Sequence, residues 1–265
     1  MTAHSYLFVP ADRPERFAKA LATGAHAVIV DLEDAVAPTA KEAAREALRQ
    51  WLQGPDARPV HVRINAPGTP WFQDDLNQCA LAAVAAIVLP KAETQAQIQT
   101  VSQAAPGKPV LPLIETAAGL AAARTLAATA GVQRLLFGSI DFQADMGISG
   151  EDDALLAFRS ELVLASRLAQ LQAPVDGVTT ALDDAQVLAL ETARARRLGF
   201  GGKLCIHPRQ VATVNEGFAP SPAELQWARR VLDAAQASGG AAVAVDGKMV
   251  DAPVLLKARR LLAAP

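Results

Sequence analysis

Val28-Ile29-Val30-Asp31-Leu32-Glu33-Asp34 is a short apolar run that ends in acids, and the same punctuation recurs along the chain. Val60-His61-Val62 ends in Arg63, Ile87-Val88-Leu89-Pro90 in Lys91, and Leu111-Pro112-Leu113-Ile114 in Glu115. Leu135-Leu136-Phe137-Gly138-Ser139-Ile140 ends in Asp141, and Leu204-Cys205-Ile206 in His207. Buried parallel strands read as short continuous apolar runs. If these runs are parallel strands of one barrel, their terminal charges point into a single mouth, the way a (β/α)8 barrel builds an active site. Two carboxylates, an arginine and a lysine meeting there suit a divalent cation holding an anionic substrate.

Working outward, the pattern predicts strands at 6–9, 27–30, 60–64, 86–89, 110–114, 135–137, 174–175 and 204–206. Longer stretches with a period near 3.6 predict helices between them, at 14–22, 41–53, 73–80, 94–104, 118–128, 155–171, 184–198 and 208–215. This alternation gives the fold class: α/β, a (β/α)8 TIM barrel. Gly24, Gly54-Pro55, Pro106-Gly107 and Gly199 punctuate helix-to-strand connections, as breakers should. After Phe218 the character changes. Pro220-Ser221-Pro222 opens a helix, Gly239-Gly240 stops it, an alternating piece at 241–245 leads to a turn at Asp246-Gly247, and a last helix begins near Pro253. The expected organisation is therefore a barrel over 1–218 and a C-terminal helical extension over 219–265 that is surplus to the barrel.

The chain has 265 residues, enough for one such barrel, with 51% hydrophobic and 20% charged residues. A net charge of −2 gives no reason to expect nucleic acid or an anionic membrane as partner. Met1-Thr2-Ala3-His4 has no basic leader, and no apolar stretch is long enough to span a bilayer. Cys79 and Cys205 are remote in sequence and lack metal-ligand spacing. From these features a reduced, cytoplasmic setting is the expectation.

Glu115 and Asp141 are the candidate metal ligands, because Mg²⁺ takes one or two carboxylates and leaves room for water and substrate oxygens; Mn²⁺ is a substitute. Each acid could instead sit at a helix N-terminus for the sake of the dipole. Gly138-Ser139 lets a ligand approach the backbone closely. Arg63 is the candidate clamp for a substrate carboxylate, since a guanidinium donates in a planar fork. Equally, it could pair with Glu33 or Asp34 on the barrel rim. Arg13 follows the first strand and is either a second anion contact or, as is more usual, a surface arginine before a helix. The acids Asp31, Glu33 and Asp34 would repel one another and call for basic partners, for which Arg13, Arg63 and Lys91 are available. Lys91 fits an electrostatic partner better than a Schiff-base nucleophile. His207 is either a general base or a histidine bonded to backbone at a strand end. Gly201-Gly202 lacks the spacing of a phosphate loop and suits close packing.

Leu7-Phe8-Val9-Pro10, Val30–Val36, Val62-Arg63-Ile64-Asn65, Leu89-Pro90-Lys91, Ile114-Glu115-Thr116, Phe137–Asp141, Ile206-His207-Pro208 and Met249-Val250-Asp251-Ala252-Pro253 together resemble the citrate lyase β-subunit-like family of the HpcH/HpaI aldolase/citrate lyase superfamily. The resemblance runs in order from Leu7 to Pro253. It departs at His4-Ser5, where many relatives carry Arg-Ser, and at Pro10-Ala11, where many carry Pro-Gly. It implies Mg²⁺ held by Glu115 and Asp141, carboxylate recognition by Arg63, and reversible cleavage of a citryl, citramalyl or malyl thioester. The products would be an acyl thioester and a 2-oxo acid. It also implies that Asp251 acts in a neighbouring subunit's site, within a homo-oligomer, commonly a trimer. Glu33, Asp34, Lys91, Gly138 and Ser139 complete the expected substrate surroundings. Other activities on such a site are an aldolase on free 2-oxo-4-hydroxy acids, a malate synthase or malyl-CoA thioesterase, and a citrate lyase subunit working on an acyl-carrier thioester. Pocket shape would rest on the loops 66–71 and 145–152.

Overall fold

Eight parallel strands pair in sequence order: β1 (Ser5–Pro10), β2 (Ala27–Asp31), β3 (Val60–Arg63), β4 (Val84–Leu89), β5 (Val110–Ile114), β6 (Leu136–Phe137), β7 (Val175–Asp176) and β8 (Gly202–Cys205). β8 pairs in parallel with β1 and closes the ring, as the sequence pattern predicts. This computed structural model describes residues 3–237 and 243–263. By internal contacts the chain divides into two compact units, Ala3–Asn215 and the segment from Glu216 onward.

The barrel interior follows from a period of two. Along a strand, residues i and i+2 share a face. Tyr6, Ala27 and Ile29, Ala86 and Val88, Leu111 and Leu113, Leu136, Val175 and Leu204 form one buried cluster. The intervening Val28, Val30, Ile87 and Leu89 are equally buried, which is why the strands read as unbroken apolar runs rather than alternating ones. Continuing the inward register by one step reaches Phe8, Asp31, Glu115, Gly138 and Ile206, while His61 leads to Arg63.

The helices of the barrel unit are α1 (Phe17–Leu21), α2 (Lys41–Gln53), α3 (Phe72–Cys79), α4 (Gln95–Ala104), α5 (Ala117–Ala121), α6 (Ala123–Ala127), α7 (Ser139–Met146), α8 (Asp152–Leu168), α9 (Ala185–Leu198) and α10 (Gln210–Phe218), the last reaching into the second unit. Thr94, Thr116 and Asp184 cap α4, α5 and α9 through their side chains. The single helix expected over 118–128 is interrupted at Ala122, where ψ relaxes to −2°. α7 is a helix that the pattern does not anticipate. Its apolar entrance continues the β6 run, and only Gly147, left-handed at φ 66°, marks its end. Gly201-Gly202 does serve close packing: a Cβ on Gly202 would lie 2.6 Å from the His4 carbonyl oxygen, and one on Gly201 2.6 Å from the Arg134 guanidinium.

The second unit holds α11 (Pro222–Ala237), a hairpin of β9 (Val243–Val245) and β10 (Lys248–Val250), and α12 (Ala252–Leu262). Asp246-Gly247 makes the hairpin turn with both residues at positive φ. Ala228, Val231, Val250 and Ala258 are its buried core. The expected helix stop at Gly239-Gly240, and Ala241 and Ala242 of the expected alternating piece at 241–245, lie outside the described residues. No helix among the described residues is long and apolar enough to cross a membrane.

Candidate active site

The uppermost inward positions of the barrel surround a cavity of about 370 Å³. Asp31, Arg63, Glu115 and Asp141 line it together with apolar walls that include Phe8, Phe137 and Val178. Gly138 and Ser139 line it as well. Convergent charges at the C-terminal ends of barrel strands, set against apolar walls, are the usual form of a small-molecule site.

Arg63 is the hub of one side. Its Nε and Nη2 donate to Asp31 Oδ1 and Oδ2 at 2.7 and 2.6 Å, a bidentate pair. Its Nη1 lies 3.2 Å from Glu33 Oε2 and 3.4 Å from Asp34 Oδ2, and the guanidinium sits 4.7 Å from the Phe8 ring centroid. Burial alone would lower the Arg63 pKa, but Asp31, Glu33 and Asp34 outweigh it and hold the pKa above the ordinary value. Asp31 also accepts the backbone N–H groups of Glu33 and Ala35, at 2.9 and 3.0 Å, which folds the acid cluster around one carboxylate. Lys91 Nζ donates to Glu33 Oε1 at 3.1 Å. The Glu33 carboxyl is nevertheless shifted upward, because burial outweighs both cations. The acid cluster thus finds its basic partners in Arg63 and Lys91. Arg13 is exposed, and among the described residues no ion pair joins it to the cluster.

Glu115 forms the other side. Its Oε1 accepts the Lys91 backbone N–H at 2.8 Å, with Lys91 held in the left-handed region at φ 46°. Its Oε2 is buried and has no hydrogen-bond partner. Burial, followed by the nearby Glu33 charge, pushes its pKa up to about 8. Gly138 leaves the space this carboxylate occupies, since a Cβ there would lie 2.6 Å from Glu115 Oε2. Asp141 lies in the first turn of α7, so the helix-terminus geometry and the cavity position coincide in one residue. The Ser139 hydroxyl is buried beside them without a partner.

These donors fit a hard divalent cation. A buried carboxylate oxygen with no proton donor, facing a cavity that a second carboxylate lines, lacks a positive partner. Among the described residues no set of three or more His, Cys, Asp or Glu side chains converges as a metal cluster. A cation would therefore take these two carboxylates and complete its shell with water or substrate oxygens.

His207 lies outside the cavity lining: its Nδ1 accepts the Arg209 N–H at 3.2 Å, the backbone-bonded arrangement. Asp251, in the second unit, is the N-cap of α12 and accepts the Val254 N–H at 3.2 Å. The site contribution that sequence reading passes over is the Lys91 main chain; of the candidate partners for the acids, it left open that Arg63 would take Asp31 in a bidentate fork. Inward parity of residues 27, 29 and 31 against 61 and 63 was the signal available for the fork.

The HpcH/HpaI aldolase/citrate lyase family model matches residues 4–208, which hold every residue lining this cavity. The chain belongs to that family. A citrate lyase subunit beta-like protein of Deinococcus radiodurans is 39% identical over 273 residues, covering 97% of this chain and 95% of the relative. A (3S)-malyl-CoA thioesterase of Cereibacter sphaeroides is 35% identical, covering 98% and 93%. Among solved structures, CitE from Mycobacterium tuberculosis in complex with magnesium, acetoacetate and coenzyme A superposes with a TM-score of 0.87 at 39% identity, covering 98% of this chain and 97% of that one.

Proposed function

We propose that the chain is a Mg²⁺-dependent carbon–carbon lyase that cleaves, or in reverse forms, a 3-hydroxyacyl-CoA thioester such as citryl-, citramalyl- or malyl-CoA, giving an acyl-CoA and a 2-oxo acid. The observation that carries this reading is the buried, unpartnered Oε2 of Glu115 in a cavity shared with Asp141 and Arg63. The magnesium, acetoacetate and coenzyme A of the related CitE complex support it.

Glu115 and Asp141 would hold the cation. Bound there, Mg²⁺ (or Mn²⁺) supplies Lewis acidity and a template for the hydroxyl, later oxo, oxygen and its neighbouring carboxylate. Arg63, held flat by Asp31, would exchange its looser contacts to Glu33 and Asp34 for that carboxylate. The Gly138 backbone and the free Ser139 hydroxyl line the same wall and would hold substrate oxygens. Glu33, Asp34 and Lys91 set the charge around Arg63, and Arg13 is an outer anion contact. Asp251, an exposed carboxylate that accepts its capping N–H from Val254, would move the proton at the acyl methyl carbon. It would do so from the tail of a neighbouring subunit in a trimer, the barrel spanning 1–218 and the extension 219–265. Holding oxo acid and acyl thioester in register is worth roughly 7–11 kcal/mol of barrier. The two buried free thiols, Cys79 and Cys205, support a reducing, cytoplasmic setting.

The test is a Mg²⁺-supplemented screen of citryl-, citramalyl- and malyl-CoA that follows both oxo acid and thiol. Release of oxo acid with the thioester bond intact is expected. The malyl-CoA thioesterase relative favours a second reading, hydrolysis on the same site. Free CoA appearing with no oxo acid would select it, and no turnover of any thioester would reject both.

A further inference from the structure

Behind the acid cluster, α2 and α3 carry buried charges that the proposed chemistry leaves unused. Lys41 and Arg45 stand four residues apart on α2 and so share a face. Lys41 Nζ donates to the carbonyl oxygens of Leu32 and Glu33, both at 2.7 Å, and lies 5.3 Å from the Trp71 ring centroid. Arg45 Nε donates to Asp75 Oδ1 at 2.8 Å. Asp75 is 0% exposed, and its Oδ2 accepts both the backbone N–H and the side-chain amide of Asn65, at 2.8 and 2.6 Å. Asn65 stands two residues beyond Arg63, where β3 leaves the barrel. A fully buried carboxylate is costly to keep charged, and here one oxygen is given to Arg45 while the other is spent wholly on one strand exit.

We propose that Asp75 is a positioning residue for the active site. It fixes the exit of β3, and with it the setting of Arg63 against Asp31 and the course of the loop 66–71. Arg45 holds its charge, and Lys41 braces the exit of β2 from the same helix face. The substrate readout of this inference rests on the lyase reading; the backbone readout does not.

Calorimetry with pyruvate in the presence of Mg²⁺, together with amide exchange across 65–71, tests it. Asp75→Ala is expected to weaken pyruvate binding at least tenfold and to speed exchange in that loop at least tenfold. Mg²⁺ affinity without pyruvate should stay within threefold of wild type. The double variant Arg45→Gln with Asp75→Asn keeps an acceptor toward Asn65 and a neutral partner behind it, and should recover pyruvate affinity to within threefold. Where Asp75→Ala does not fold, Asn65→Ala removes part of the same contact from the other side and should weaken pyruvate binding at least threefold. Unchanged pyruvate affinity in a folded Asp75→Ala or Asn65→Ala protein, whatever its melting temperature, overturns the proposal. A wild-type protein that binds no 2-oxo acid with Mg²⁺ defeats the lyase reading instead. Exchange across 65–71 then decides the role of Asp75 alone, and unchanged exchange overturns it.

Discussion

Glu115 is a buried carboxylate with a hydrogen bond to one oxygen, a hostile neighbour in Glu33, and, among the described residues, no ion pair. Its pKa is raised from 4.5 to about 8, so between those values the metal-free fold binds a proton that the unfolded chain does not. Stability from this group is therefore fully present at low pH and is lost as pH rises toward 8. A cation must displace that proton, so apparent Mg²⁺ affinity should climb by up to about tenfold per pH unit below pH 8 and level off above it. Calorimetry from pH ~6 to ~9 checks this, and a flat profile would show that Glu115 is not a ligand. Glu115→Gln and Asp141→Asn should each abolish metal-dependent turnover while leaving the barrel's circular dichroism intact. Arg63 makes a different demand, because it is both a buried partner of Asp31 and the proposed clamp. Arg63→Lys keeps a charge and loses the fork. Stability should fall by about 1–3 kcal/mol for the lost charge-assisted bonds, and kcat/KM by at least about tenfold beyond that, which is ~1.4 kcal/mol of transition-state binding. Both measured on one preparation separate the roles: normal kinetics in the folded fraction would leave Arg63 a purely structural residue.

At the scale of elements, closure of the barrel depends on how closely β8 approaches the segment before β1. Lys203 N donates to the His4 carbonyl at 2.7 Å, and Gly202 has no room for a Cβ against the same oxygen. Backbone, unlike a flexible side-chain end, does not yield cheaply. Gly202→Ala should therefore cost about 1–3 kcal/mol, the usual range for overpacking, read as a lower denaturant midpoint with an unchanged slope. A midpoint equal to wild type would mean that the β8–β1 seam can spread. The elements were unevenly legible. β5 and α2 follow their apolar patterns to the residue, β5 because its apolar run is unbroken from end to end and α2 because its helical period holds over its whole length. β6 and β7 are two residues long, too short for any period, and α7 starts inside a run that reads as strand.

For the whole molecule, the open matter is where Asp251 works. As the N-cap of α12 it has a sufficient local reason to exist, worth about 1 kcal/mol. The proposed role in a neighbour's site ties activity to a closed ring of subunits instead. Mixing inactive Asp251→Asn chains with inactive Glu115→Gln chains should then restore partial turnover, since some mixed sites receive both intact residues. Failure to complement, in oligomers shown by mass spectrometry to have exchanged subunits, would leave Asp251 serving its own barrel or α12 alone. A melting temperature lowered in Asp251→Ala but not in Asp251→Asn, with turnover retained in both, would favour the cap.

The sequence by itself determined the barrel and the cast of its mouth. Both are consequences of short-range periodicity: residues i and i+2 of a strand share a face, so Ile29 commits Asp31, and Leu113 commits Glu115, to the interior. Composition and parity carry that information without knowledge of any partner. Only the tertiary structure decided who meets whom. Of the three acids that called for a basic partner, Asp31 takes the fork of Arg63. Lys91 serves Glu115 through its N–H while its amine goes to Glu33, and Gly138 exists to make room for a carboxylate on the preceding strand. Those pairings join residues tens of positions apart, and they depend on the register and closure of the ring. No local pattern encodes that geometry; it emerges once all eight strands are in place.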